Sequence, residues 1–191
     1  MIKKFELDLS SKITILGVEL FRIKALISFG NVEKGELGGY VEKEDNLSHS
    51  GNAWVYGNAE VSGNAEVYGN ARVSGNAEVY GNAWVYGNAE VSGDAWVYGN
   101  AEVSGNAEVY GNAWVYGNSE VSKLNDYILF KNTWSSGRYF TYTKSNEMWK
   151  VGCFYGTGEE LIKKAYEDSE VSGKHYEAYV NFVKTLEALD N

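Results

Sequence analysis

The chain has 191 residues, of which 22 are glycine and none proline, where average usage would give about 13 and about 10. Glycine without proline, in a chain that is 15% aromatic, excludes a proline-rich linker, a collagen-like repeat and a disordered low-complexity tail. A formal net charge of −9 argues against direct binding of nucleic acid or of an anionic membrane, since both need a basic face.

The charge is uneven. Residues 1–50 carry 7 Lys/Arg against 8 Asp/Glu, and residues 123–191 carry 9 against 10. Residues 51–122 set Arg72 alone against eight acids, so −7 of the −9 belongs to the middle of the chain. The start, Met1-Ile-Lys-Lys-Phe, lacks the apolar run of a signal peptide, and no apolar stretch reaches 18 residues, which predicts a cytoplasmic protein. Cys153 is the single cysteine, so no intrachain disulfide and no thiolate-rich zinc site can form.

In chain order, residues 12–29 alternate loosely in Ile13, Ile15, Val18, Leu20 and Ile23, with Leu16-Gly17 as a hairpin turn. Asp45 to Ser50 keeps a six-residue register with Leu47 at an alanine position, and reads as a degenerate first strand. From Gly51 to Ser122 run twelve unbroken hexads of the form G-[ND]-A-x-V-[YS], departing only at Asp94 and Ser119. Alanine and valine lie two apart and so share one side of a strand, facing in; the fourth and sixth residues face out. Glycine supplies a tight corner, and stacked asparagines can form a ladder between turns. Proline is absent because every strand of a parallel coil needs its N–H.

This pattern resembles the hexapeptide-repeat family, which implies a left-handed parallel β-helix. Three hexads make one 18-residue turn, for four to five turns in all. The stretch Phe29-Gly-Asn-Val32 to Gly38-Gly39-Tyr40-Val41, with Asn46-Leu47-Ser48, is similar to the N-terminal cap of bacterial and phage- or prophage-borne G-N-A-x-V-x repeat proteins. After Ser122, segments 127–131, 138–143 and 148–153 read as strands, the last containing Cys153 as a buried, inert thiol. Thr157-Gly-Glu-Glu160 is a capping box for a helix to about Asp168, and a second helix follows from about Lys174 to Leu189. Gly152-Cys-Phe-Tyr-Gly-Thr157 resembles a step in the C-terminal module of phage repeat proteins, to which no activity attaches. The expected class is mainly β: a cap over 1–50, a β-helix over 51–122 and a small α+β module over 123–191.

Residues 18 apart stack, so the outer surface can be written down. Face one holds Trp54, Arg72, Glu90 and Glu108; face two holds Glu60, Glu78, Trp96 and Trp114; face three holds Glu66, Trp84, Glu102 and Glu120. Face two also carries a Tyr80–Tyr98–Tyr116 ladder, and five aromatics on one flat face mark a surface that something covers. The candidates are a second copy in a dimer or trimer, the chain's own C-terminal module, or a protein partner, since Tyr and Trp dominate binding hot spots. The pairs Glu60/Glu78, Glu90/Glu108 and Glu102/Glu120 form an acidic surface on adjacent turns, a solvated face or a row of carboxylates that imitates nucleic acid.

Many hexapeptide-repeat proteins are trimeric acyltransferases with a catalytic histidine. Here the coil has no histidine and no inserted loop, which leaves His49 at its edge as the residual catalytic candidate; His175 lies on the last helix. No P-loop, dinucleotide fingerprint or metal-spaced cluster occurs, so neither cofactor nor metal is expected. These features together point to a non-enzymatic interaction protein, in the host cytoplasm if phage-encoded, where inhibition of a host defence protein is the role the resemblance suggests. An acyltransferase and a nucleic-acid mimic are the alternatives.

Overall fold

A computed structural model describes residues 2–189. An antiparallel hairpin opens the chain, β1 (Phe5–Ile15) and β2 (Val18–Ala25), turned by Leu16 and Gly17 at φ 49° and 87°. β2 pairs antiparallel with β3 (Leu37–Val41), and β3 pairs parallel with the coil. Each hexad then gives one two-residue strand, its fourth and fifth residues, from β4 (Trp54–Val55) to β15 (Glu120–Val121). Strands three apart in this series stack into three parallel sheets, one per face, and β1 to β3 extend the sheet of face two. With the entry segment the β-solenoid has about five turns.

The alternation within a hexad builds the core. Every alanine and valine of the repeats is 0% exposed, and each valine buried this way contributes about 1.5–3 kcal/mol. The corners need glycine. Gly93 sits at φ +73°, and a β-carbon there would lie 2.9 Å from the nitrogen of Gly111 in the next turn. Asparagine side chains form two unbroken corner ladders, Asn52–Asn70–Asn88–Asn106 and Asn64–Asn82–Asn100–Asn118, with amide bonds of 3.0–3.2 Å. At the third corner Asp94 accepts from Asn76 at 3.0 Å and, as a carboxylate, has no N–H to pass to Asn112.

Main-chain bonding gives the coil a direction. The N–H groups of the second, fourth and sixth residues donate to Gly, Ala and Val carbonyls one turn on, as Asn76, Glu78 and Tyr80 do to Gly93, Ala95 and Val97 at 2.8, 2.9 and 3.0 Å. The first turn therefore presents carbonyls to whatever precedes it, and the last presents N–H groups to whatever follows. Buried main-chain groups must find partners, and each cap has the matching chemistry. At the start, Lys4 Nζ donates to the Ala53 carbonyl at 2.8 Å, Arg22 Nη2 to Gly57 at 2.9 Å, and Asn46 Nδ2 to Ala65 and Gly63 at 2.8 and 3.1 Å. At the end, the N–H of Trp114 donates to Thr141 Oγ1 at 2.9 Å, that of Glu120 to Ser145 Oγ at 2.8 Å, and that of Ser122 to Asp126 Oδ2 at 2.7 Å.

The C-terminal module has a four-stranded antiparallel sheet of β16 (Tyr127–Lys131), β17 (Tyr139–Thr143), β18 (Met148–Val151) and β19 (Phe154–Gly156). Helices α1 (Gly158–Asp168) and α2 (Glu170–Leu189) pack on it through Leu161, Ala165, Tyr176, Val180 and Val183 around Phe140 and Trp149. The Thr157–Glu160 capping box opens α1 as the sequence predicts. No helix among the described residues is long and apolar enough to cross a membrane.

Four expectations change. Leu47 pairs with Val67, as Val41 does with Val61, so the entry turn is offset by 20 residues instead of 18 and Leu47 fills a valine position. Cys153 lies in a hairpin turn between β18 and β19 and is exposed, because the third predicted strand stops at Val151 and a fourth begins at Phe154. The second helix starts at Glu170, earlier than predicted, since Gly173 packs against the Tyr166 ring without breaking it. Trp54, placed on an outward column, is 0% exposed, covered by Phe5 and Phe29 at ring distances of 6.2 and 5.4 Å.

Candidate functional site: the outer faces of the coil

Face two has the stacking written from the repeat. Glu60 pairs with Glu78, Glu78 with Trp96, and Trp96 with Trp114. Trp96 and Trp114 lie parallel at 4.9 Å and 4°; Tyr80 and Tyr98 stack at 4.8 Å, and Tyr98 and Tyr116 at 4.3 Å. All five aromatic side chains are half-buried, largely by one another. Burial pushes the Tyr80 hydroxyl up to about 12 and raises Tyr98 as well, so both stay protonated donors at neutral pH.

Among the described residues, the caps meet this face near its two ends. At the C-terminal end Tyr155 meets Tyr116 edge-on at 4.6 Å, and Lys150 Nζ lies 5.2 Å from the Trp114 ring centre and 5.5 Å from that of Tyr116. At the other end Tyr40 continues the outward column above Glu60, with the Arg22 guanidinium 4.9 Å from its ring. Sequence reasoning missed these four residues. Tyr40 was hidden by the two-residue offset of the entry turn, while Lys150 and Tyr155 carry no repeat signal at all.

The carboxylates differ by face. Glu60 and Glu78 on face two are partly desolvated, and burial raises both above the usual carboxylate range, with the Glu78 charge adding to the effect on Glu60. On face one Glu90 pairs with Glu108 along the sheet and meets Arg72 at 3.4 Å. On face three Glu102 pairs with Glu120 along the sheet, and Glu102 accepts from Tyr86 Oη at 3.1 Å.

His49 is built into the cap. Its ring stacks on Phe5 at 4.3 Å, Nδ1 accepts the N–H of Lys4 at 3.2 Å, and Nε2 lies 3.6 Å from Glu44 Oε2. With Nδ1 engaged, the neutral ring carries its proton on Nε2 toward Glu44 and has no lone pair left for a substrate proton. His175 stacks on Trp134 at 4.5 Å and bonds the Val171 carbonyl. Among the described residues no group of three or more His, Cys, Asp or Glu side chains is placed to hold a metal ion.

A coil of parallel two-residue strands, closed at both ends and carrying its variable residues outside, is a capped β-solenoid. A family model described as the YdcK beta solenoid repeat matches residues 65–81 and, one hexad on, residues 71–87. The match falls wholly inside the coil and agrees with its repeat. No curated protein matches the chain.

Proposed function

We propose that this protein is a non-enzymatic interaction scaffold: a rigid coil that presents Tyr80, Trp96, Tyr98, Trp114 and Tyr116 to a protein partner or to a second copy of itself. The observation that carries this reading is a continuous stack of half-buried rings on one face, which the C-terminal module meets at one end through Lys150 and Tyr155. Stiff, half-buried aromatic rings lose little entropy on binding, which is why such side chains dominate hot spots. The resemblance of the cap and of the Gly152–Thr157 step to phage-borne repeat proteins supports a finer reading, a phage-encoded inhibitor of a host defence protein acting in the cytoplasm.

The first experiment is the native mass in solution, paired with capture of partners by the intact chain and by a Trp96→Ala/Trp114→Ala variant. A dimer or trimer that dissociates in the variant, or a partner lost with it, supports the reading. A monomer that captures nothing, or captures the same partner after both tryptophans are removed, overturns it.

A second reading, a nucleic-acid mimic, is favoured by the carboxylate rows Glu60/Glu78, Glu90/Glu108 and Glu102/Glu120 on adjacent strands. It predicts partner binding that weakens steeply with added salt and is insensitive to the two tryptophans.

A further inference from the structure

Face three offers a surface of different chemistry from the ladder of face two. Trp84 is 43% exposed, whereas the tryptophans of face two are half-buried. Glu66 pairs with Trp84 from one side along the sheet and Glu102 from the other, so a bare indole lies between two carboxylates. Beside it Tyr68 and Tyr86 stack at 4.9 Å and 3°, and the Tyr86 hydroxyl fixes the Glu102 carboxylate. The surface is hollow at both ends. A depression of about 630 Å³ opens where Glu66, Tyr68 and Trp84 meet the entry turn, and one of about 320 Å³ where Tyr86, Glu102 and Glu120 meet Asp126 and the Lys144–Ser145 turn.

The charge on this face is uncompensated by the coil. Arg72, the one basic residue among 51–122, is on face one against Glu90. Glu66 and Glu120 make no ion pair among the described residues. Two carboxylates flanking an exposed indole suit a chain that brings cations to the flanks and an apolar group to the middle.

Spacing narrows the partner further. Glu66 and Glu102 are two strand spacings apart, about 9.6 Å at ~4.8 Å per strand. A fully extended β-strand would turn residues three apart to opposite sides. A polyproline-II segment returns to the same side every third residue, after about 9.3 Å at ~3.1 Å per residue. Such segments dock on aromatic-lined grooves with little loss of chain entropy.

We infer that face three binds a polyproline-II segment of a partner protein with basic residues at every third position, two of them on Glu66 and Glu102 and the stretch of chain between them crossing Trp84. The surface and the partner are distinct from those of face two, so either can fail without the other.

The test uses the full chain and a fluorescein-labelled Arg-Pro-Pro-Arg-Pro-Pro-Arg peptide, followed by anisotropy at low salt. A peptide of the same composition with its three arginines adjacent should bind about five-fold more weakly, the worth of one or two misplaced ion pairs. Trp84→Ala should cost about ten-fold and Glu66→Gln/Glu102→Gln about five-fold. The matching face-one pair, Glu90→Gln/Glu108→Gln, and the face-two pair, Trp96→Ala/Trp114→Ala, should each leave affinity within about two-fold. Because the Glu→Gln pair is isosteric and at the surface, it decides the matter even where Trp84→Ala alters folding. No binding of the spaced peptide, equal binding of the clustered one, or equal loss from the face-one pair each overturns the inference.

Discussion

Ser119 stands where the other eleven hexads have alanine, and its position explains the exception. It is 1% exposed at the last turn, where its hydroxyl donates to the Tyr116 carbonyl at 2.6 Å and lies 3.1 Å from Thr143 Oγ1, and where Asn146 Nδ2 reaches it at 2.9 Å. Restoring the repeat with Ser119→Ala should therefore destabilise the protein by about 1–2 kcal/mol, because buried polar groups lose a partner. Urea unfolding checks this; an unchanged or raised midpoint would remove Ser119 as the joint between coil and module. Lys4 has a comparable role at the other end. The residue is 1% exposed; its ammonium lies 4.7 Å from the Phe29 ring centre and is pulled by burial from 10.5 to about 8. The unfolded chain holds that proton up to about 10.5, so between about pH 8 and 10 the unfolded state binds more protons and stability rises with pH. The full effect is on the order of 3 kcal/mol at about 1.4 kcal/mol per unit. Lys4→Met keeps the apolar stem and should lose this slope, read as the difference between the two proteins' stabilities across that range.

The hexad as an element was legible because one physical requirement recurs at each of its six positions. Gly93 shows how strict that is: at φ +73°, and with an added β-carbon brought to 2.9 Å from the Gly111 nitrogen, Gly93→Ala should cost at least about 1–2 kcal/mol. A thermal melt checks it, and a loss below a few tenths would mean the corners relax independently of one another. The same regularity places Tyr80, Trp96, Tyr98, Trp114 and Tyr116 on one face. It failed where the repeat ends. Leu47 fits an alanine slot by counting back in sixes, but two extra residues between Leu47 and Trp54 move it to a valine slot, since Leu47 pairs 20 residues on and Trp54 pairs 18 on. Trp54 reads as outward by the same count, yet Phe5 and Phe29, distant in sequence, close over it. Cys153 was misplaced because a two-residue turn and a short fourth strand leave too little alternation to read. Periodicity reports what a residue's own turn does with it, and not what another segment lays on top.

At the scale of the molecule, the two ends of the coil are unlike, and that determines what the caps prevent. The first turn offers Gly and Ala carbonyls, met by Lys4, Arg22 and Asn46, and Val carbonyls, met by the N–H groups of Glu42 and Ser48; the last offers N–H groups, met by Thr141, Ser145 and Asp126. Bare ends of this kind complement each other, so an uncapped coil can stack head to tail, a heterologous contact that never closes. Removing one cap leaves only one kind of end, which has no complement on a second copy. The expected outcome is asymmetric: residues 51–122 alone should form filaments with the ~4.8 Å repeat of stacked strands, while chains lacking only 1–50 or only 123–191 should not. Mixing the two singly capped chains should give a discrete end-to-end pair, because each supplies the edge the other lacks. Sedimentation and electron microscopy of the four samples distinguish these results, and filaments from either singly capped chain would show that polarity is not what the caps control.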